Sequence, residues 1–450
     1  MTSLHDRLAD LAEHAPVGVP PDASSGHDLW ERGRRYGRRR RVETLTLTLV
    51  LLAAVGSLVG ALLPATTYDV GPADAQAGLR LPDRLQVPSP WSPGTDDVGE
   101  LGPLAAVVPA ERRTWTGSST GLAGVSTDGD YAFLDLPGLS STPGLEEGAR
   151  VALSADGRHV AYPLAGTPAG EPNRMEGDTF VGVAVYDTVT GEVDRHRVET
   201  EHGIDVSGLV WTGDTLWVQY GQWDQAADED AETGTGSDYH LYTWPLDQRP
   251  RRFDGPRPDL LPQAGLSPRV VAPGARLEVY DGDGTALSRV LRPDVRPESP
   301  AVLNPSGNRV AVLGDPDGDP GTRSSDAAPL LAGVVPDGPD VDVTTEPVGD
   351  VRADDIWGWR DDWTVVVRAY SANALLSVDV NTGATERLVR LPQDGSSSEV
   401  VVAQDALAAP TFSAPDAPYV LDPRLRLALV VLGVLLAGLG VVLWRRRGRV

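Results

Sequence analysis

Hydrophobic positions gather in two ways along this chain: as two long unbroken runs near the ends and as many short runs between them. The first long run, residues 44–63, is twenty residues without a charge, and the second, residues 427–444, is apolar up to Trp444. A hydrocarbon core about 30 Å thick needs roughly 20 apolar residues at helical rise, so each run predicts a membrane-spanning helix. From Leu104 onward the texture changes to short apolar runs separated by Gly, Asp and Pro, which predicts strands and turns with almost no amphipathic helix before the second span. Upstream of everything, Ser3 and Asp6 form a capping-box pattern while Leu4, Leu8 and Leu11 repeat at helical spacing, predicting a short amphipathic helix over 4–14 that Pro16 ends.

The short runs repeat. Leu153-Ser-Ala-Asp-Gly-Arg-His-Val-Ala-Tyr162 aligns without a gap with Leu303-Asn-Pro-Ser-Gly-Asn-Arg-Val-Ala-Val312, two apolar runs about a polar turn. Val210-Trp-Thr-Gly-Asp-Thr-Leu-Trp-Val218 pairs with Gly358-Trp-Arg-Asp-Asp-Trp-Thr-Val-Val366, sharing Trp, then Asp three residues on, then Val. Val185-Tyr-Asp-Thr-Val-Thr-Gly191 pairs with Val378-Asp-Val-Asn-Thr-Gly383, and Leu277 to Gly284 is a looser relative. The predicted unit is two hairpins, hence a four-stranded blade. Units start near Leu122, Val151, Gly208, Val270, Ala301 and Asp355, and Val400 to Ala403 is the candidate closing strand.

The segments around Leu153–Tyr162, Val183–Glu192 and Leu303–Val312 resemble the inner-strand turns of WD40-like and TolB-like β-propellers, in which an SPDG turn before an apolar strand recurs once per blade. The resemblance covers roughly residues 104–410. It implies an all-β fold, a six- or seven-bladed β-propeller outside the membrane, flanked by two transmembrane α-helices. Closure of such a ring removes exposed sheet edges and brings the domain's two ends together.

Charge sets the orientation and narrows the partners. Arg38 to Arg41 precede the first long run, and Arg445, Arg446, Arg447 and Arg449 follow the second, outnumbering Arg424 and Arg426 on its other side. Arginines in short flanking tails mark the cytoplasmic side, so both termini are expected inside and the intervening part outside, a two-pass protein of the cell membrane. A cleaved signal peptide ending near Ala75-Gln-Ala77 is the rival for the first run; the long region before it and the length of the run favour a retained anchor. The spans and exterior hold 57 acidic residues against 27 basic ones. A surface that acidic repels nucleic acid, excluding that partner class, and favours cationic partners or divalent ions. All basic residues are arginine, a composition of GC-rich, actinobacterial-type bacteria, and cysteine is absent, which removes disulfides, thiol nucleophiles and cysteine metal sites.

Candidate chemistry is sparse. Gly117-Ser-Ser-Thr-Gly121 has the nucleophile-elbow spacing with Ser119 in the serine position, but turn-and-strand texture follows it where a helix is required. The exterior histidines, His159, His196, His202 and His240, lack metal-ligand spacing. Asp315 to Asp319 with Asp326 mimics a calcium loop, yet Pro320 replaces the turn glycine; with Asp281 to Gly284 and the acidic run Asp224 to Asp238 it is read as a solvated loop able to bind calcium only weakly. Trp211, Trp217, Trp223, Trp357, Trp359 and Trp363 are expected in the core between blades. Gly56 and Gly60, and Gly433, Ala437 and Gly440, give each span a close-packing face.

The expected organisation is a cytoplasmic tail with its arginine run over 1–43, a first span over 44–63, a Pro/Gly-rich stalk or lead-in over 64–103, the propeller over 104–410, a linker over 411–426, a second span over 427–444 and an arginine-rich tail over 445–450. No catalytic residue, cofactor or metal site is assigned. Binding, sensing or scaffolding with an envelope or membrane protein as partner is expected ahead of catalysis; an exterior hydrolase or lyase acting on envelope polymers and an accessory subunit of a membrane complex are the alternatives.

Overall fold

The short apolar runs become strands whose burial depends on their place in a sheet. The computed structural model describes residues 78–115, 117–140, 151–173, 177–227, 239–253, 270–272, 276–280, 287–297, 301–314, 327–369, 372–392 and 400–447. Two units divide the chain, Tyr68–Leu421 and the tails on either side of it. The 4–14 stretch, the Arg38–Arg41 run, the 44–63 run, Ala75 to Ala77, Asp281 to Gly284, the Asp315–Asp326 segment and most of the Asp224–Asp238 run lie outside the described residues.

The first unit opens with a one-turn helix, α1 (Thr95–Val98), and the hairpin strands β1 (Leu104–Arg113), β2 (Ser118–Ser126) and β3 (Tyr131–Phe133). An eight-stranded sheet follows. Its first half orders β4 (Ala152–Leu153), β5 (His159–Ala165), β6 (Phe180–Asp187) and β7 (Val193–Arg197); its second orders β8 (Ile204–Thr212), β9 (Thr215–Gln222), β10 (His240–Pro245) and β11 (Arg251–Arg252). One residue pair, Phe180 with Ile204, joins the halves, so the eight strands are two antiparallel sets of four.

The next set begins with β12 (Val270–Ala272), β13 (Leu277–Tyr280) and β14 (Leu287–Pro293), and the one after it with β15 (Val302–Leu303), β16 (Arg309–Leu313) and β17 (Ala328–Val334). Between β17 and its partner β19 (Thr345–Ala353) the chain leaves its own sheet. There β18 (Asp340–Val343) lies parallel on β14 and becomes the fourth strand of the preceding set. Strands β20 (Asp355–Trp359), β21 (Thr364–Ala369), β22 (Ala374–Asp379) and β23 (Thr385–Arg390) make the last continuous set. Finally β24 (Val401–Val402) pairs with β1, so the end of the chain completes the first sheet, and α2 (Gln404–Ala408) follows it. The expected closing strand at Val400 to Ala403 is β24. The expected start near Leu122 is not a start: that residue is in the middle of β2, where a second hairpin strand has the same apolar texture as a first.

Position in the sheet explains sequence. Strand β6 is buried along almost its whole length and reads as a continuous apolar run, whereas β7 and β11 at the outer edge are polar and exposed. Middle strands covered on both faces need no polar alternation. The covering is mutual between successive sets. Phe180, Val183 and Val185 share a core with Trp211, Leu216 and Val218; Trp217 and Leu241 share one with Tyr280; Leu277, Val279 and Leu291 with Leu303, Val310 and Leu331; Leu313 and Leu330 with Trp359, Val365 and Val378. The remaining cluster joins Trp357, Leu375 and Val389 of the last set to Val107, Val125 and Val402 of the first and continues to Tyr162 and Tyr186 of the second. The last sheet thus packs on the first.

In the other unit, α3 (Pro423–Arg447) begins with Asp422, whose carboxylate accepts the Arg424 N–H at 2.8 Å. The Pro423–Gly440 stretch is long and apolar enough to cross a membrane, and is the one such helix among the described residues.

Candidate interaction surface

Repeated turns set the geometry at one end of the strands. Between β15 and β16, Asn304 Oδ1 accepts the N–H groups of Asn308 and Arg309, both at 3.0 Å. At the matching place between β4 and β5, Ser154 Oγ accepts the His159 N–H at 2.9 Å while Asp156 accepts the Arg158 N–H at 3.0 Å. Between β6 and β7, Asp187 Oδ1 accepts from the N–H groups of Val189 and Thr190; between β22 and β23, Asp379 Oδ1 accepts from those of Asn381 and Thr382. Each carboxylate substitutes for a backbone acceptor in its turn. Burial pushes the Asp187 carboxyl up, but its N–H donors and Arg158 outweigh that and hold it below the usual carboxylate range. The Thr382 N–H and hydroxyl do the same for Asp379.

Two tryptophans lock their sets to the ones before them. Trp211 Nε1 donates to the Ala152 carbonyl and Trp359 Nε1 to the Val302 carbonyl, each at 3.1 Å, so the two aligned tryptophans make the same bond to the innermost strand of the preceding set. The Asp three residues beyond Trp359 also reaches back: Asp362 accepts from Asn304 Nδ2 at 3.1 Å and from the Ser306 N–H at 3.2 Å.

Beside Asp362 an aromatic side chain is exposed. Trp363 is 48% exposed, and the Arg309 guanidinium lies 4.0 Å from its ring centroid. Directly opposite Arg309 in the β16–β17 register sits Val334, 59% exposed, and directly paired residues project from the same face. The backbone beneath is fixed: Asp361 accepts the N–H groups of Trp363 and Thr364, both at 2.8 Å, and the Val380 N–H donates to the Trp363 carbonyl at 2.9 Å. An exposed tryptophan held in one place by a stacked arginine is the composition of a binding hot spot. Trp363 was expected in the core with its neighbours, and Trp211, Trp217, Trp357 and Trp359 are indeed buried. The sequence signal that separates it is its position directly after Arg-Asp-Asp, inside the hairpin turn. The equivalent place in the second set is closed: His159 lies against buried Trp211 at 5.7 Å, and Arg158 pairs with Asp187 at 3.1 Å.

The remaining candidates scatter. Ser119 lies in β2 opposite Arg112 with strand on both sides, away from any elbow. His159 is 3.9 Å from Asp187, but burial pushes its imidazole below the ordinary value against the pull of Asp156 and Asp187, so the contact is not an ion pair at neutral pH. His196 in β7 is lowered by burial, His202 lies in the bend before β8, and His240 contacts Arg252 in the next strand. Among the described residues no three His, Cys, Asp or Glu side chains are grouped to hold a metal. Glu100 is a different case. Burial raises its carboxyl, the Tyr186 hydroxyl that it accepts lowers it, and Asp135 and Asp187 raise it again, with a net upward shift. An open depression of about 470 Å³ is lined by Arg84–Val87 and Arg390–Pro392.

No family model matches the chain, and no curated protein matches it. Solved structures do. The Cps50 (Swd1) β-propeller domain from Myceliophteria thermophila is 12% identical over 60% of this chain and 83% of its own, with a TM-score of 0.29. The C-terminal WD40 domain of Sif2 is 11% identical over 68% and 74%, with a TM-score of 0.31. Two of three are propeller domains. The third, the uncharacterized protein lmo1340 from Listeria monocytogenes EGD-e, is 10% identical over 75% of this chain and 99% of that one, with a TM-score of 0.38. The propeller-like reading of this chain rests on its own strand order and on the cores its sheets share in sequence.

Proposed function

We propose that this chain is a six-bladed β-propeller, tethered to a cell membrane and displayed on its outer side, that acts as a protein-interaction or scaffold module. The blade count is supported by six sets of four strands, the first completed by β24 and the fourth by β18. The tether is supported by α3, on which Leu427, Leu432, Leu435, Leu439 and Val442 are each at least half exposed. The outer placement is supported by the arginines after Trp444. The observation that carries the interaction reading is the Trp363–Arg309–Val334 surface, an exposed aromatic stacked on an arginine beside an exposed valine, on a backbone already held by the Asp361 hydrogen bonds. A preorganised anchor loses little entropy on binding.

The test is a photoreactive amino acid placed at Trp363 in the full chain in its native host, with Leu287, an exposed residue of another set, as the control position. A defined protein adduct is expected at 363 and not at 287, and it should disappear in an Arg309→Ala background. Equal adducts at both positions, or an adduct indifferent to Arg309, overturns this surface as the site.

A further inference from the structure

The seam of the ring is thin. Strand β24 holds β1 through the pairs Ala106 with Val402 and Val107 with Val401, plus the Ala403 N–H on the Ala105 carbonyl at 3.0 Å. At a net of about 1 kcal/mol per hydrogen bond, a contact of this size does not by itself hold residues some three hundred positions apart.

A second structure crosses the same seam. Residues 81–85 lie between the end of β23 and the segment leaving α2. The Asp83 N–H donates to the Phe412 carbonyl at 2.7 Å and the Phe412 N–H to the Leu81 carbonyl at 3.1 Å; on the other side the Leu85 N–H donates to the Arg390 carbonyl at 2.8 Å and the Arg390 N–H to the Asp83 carbonyl at 3.0 Å. Both bridges are parallel. Side chains extend the pairing: Arg84 donates to the Ala414 carbonyl and meets Asp416, each at 2.9 Å, Gln86 donates to Asp416 at 3.1 Å and accepts the Ala417 N–H at 2.6 Å, and Ser89 Oγ donates to the Val420 carbonyl at 2.8 Å. Leu81 and Leu85 are buried in the core that also holds Val389, Leu391 and Val402. The chain then runs over the first sheet, where Pro93 accepts the Phe133 N–H at 3.0 Å, and onto the second, where the Gly102 N–H reaches the Thr188 carbonyl at 3.1 Å.

We infer that residues 78–102 and 411–420 form a strap across the closure of the ring, a conformational device that keeps β24 on β1 and opens the seam when the two chain ends are separated. The inference stands on strand pairing and not on the interaction proposed at Trp363. Because the paired segments run parallel and lead to opposite termini, tension along the chain loads all of their bonds together in shear. Lateral separation breaks them one at a time. The two ends of the domain are therefore both its tethers and its clasp.

Hydrogen exchange on the full chain in detergent micelles tests this, because local opening appears as faster exchange confined to one region. In an Arg84→Ala/Gln86→Ala variant the amides of Val401 and Ala403, which face β1, should exchange at least about tenfold faster while those of β8 and β9 keep their rates. The chain has no cysteine, so a Gln86→Cys/Ala417→Cys pair joined by a short bis-maleimide gives the converse and covers a failure of the first variant to fold. The crosslink should slow seam exchange below the unmodified level. Unchanged seam rates in the crosslinked chain, or a rise spread equally over every sheet in the alanine variant, overturns the strap.

Discussion

Trp359 contributes to stability through one atom as well as through its bulk. Its indole N–H is the donor to the buried Val302 carbonyl, and replacing it by phenylalanine removes that donor while leaving the acceptor buried. Trp359→Phe should therefore destabilise the domain by about 1–3 kcal/mol in a denaturant titration, with the midpoint reduced and the slope unchanged. Glu100 makes the opposite prediction. Its carboxyl is raised above the unfolded value, so the stabilisation it brings is present at a pH below the unfolded pKa and is lost as pH rises through the folded one. At neutral pH the ionised group faces Asp135 and Asp187 across a half-buried space. Glu100→Gln, which keeps an acceptor for the Tyr186 hydroxyl, should raise the melting temperature at pH 7 and leave it nearly unchanged at pH 4. A variant less stable than the parent at pH 7 would mean that the carboxylate is stabilising there.

Turns were the legible elements, because their chemistry is local. The Asp187 and Asp379 turns, the Ser154 and Asn304 turns and the Trp211 and Trp359 bonds each place like residues at like spacing, since a side chain that caps its own turn or reaches one blade back needs a fixed offset. The excursion of β18 onto β14 has no such offset: Asp-Val-Asp-Val reads as any edge strand, and the decision to pair parallel with the preceding set is made by tertiary contacts such as Thr345 with Asp294. The strap is half legible: within the proline-rich stalk or lead-in, Leu79–Pro82 and Leu85–Val87 read as a candidate early strand, but nothing local marks Phe412 and Arg390 as the partners of Pro82 and Arg84. Not even similar turns are equally tolerant. Gly157 and Gly213 both have positive φ, 71° and 54°, but a Cβ on Gly157 would lie 2.1 Å from the Leu104 carbonyl oxygen, whereas one on Gly213 meets nothing within 4 Å. Gly213→Ala should cost only the left-handed strain, about 1 kcal/mol. Gly157→Ala must also move the backbone of β1, so a larger loss of thermal stability is expected there. Equal losses would show that the turn, not the approach of β1, sets the requirement.

At the scale of the whole molecule the proposed tether raises the question of which side of a membrane the Tyr68–Leu421 unit would face, and the sequence offers one clean probe. Tyr419 is 84% exposed, three residues before Asp422 caps α3, and the chain contains no competing thiol. With the arginine cluster after Trp444 inside, a cysteine at 419 emerges outside. In intact cells Tyr419→Cys should be blocked by a membrane-impermeant maleimide, while a cysteine in place of Val450, beyond the last arginine, should react only after permeabilisation. The arginines at 424 and 426 work against this orientation, two against four, so it is a balance of flanking charge and not a property of the helix itself. Replacing Arg445, Arg446, Arg447 and Arg449 by glutamine leaves Arg424 and Arg426 as the only flanking cations, and labelling at 419 should then fall. Labelling at 419 that persists undiminished in that variant would place the determinant of topology at the other end of the chain, in the arginines before residue 44.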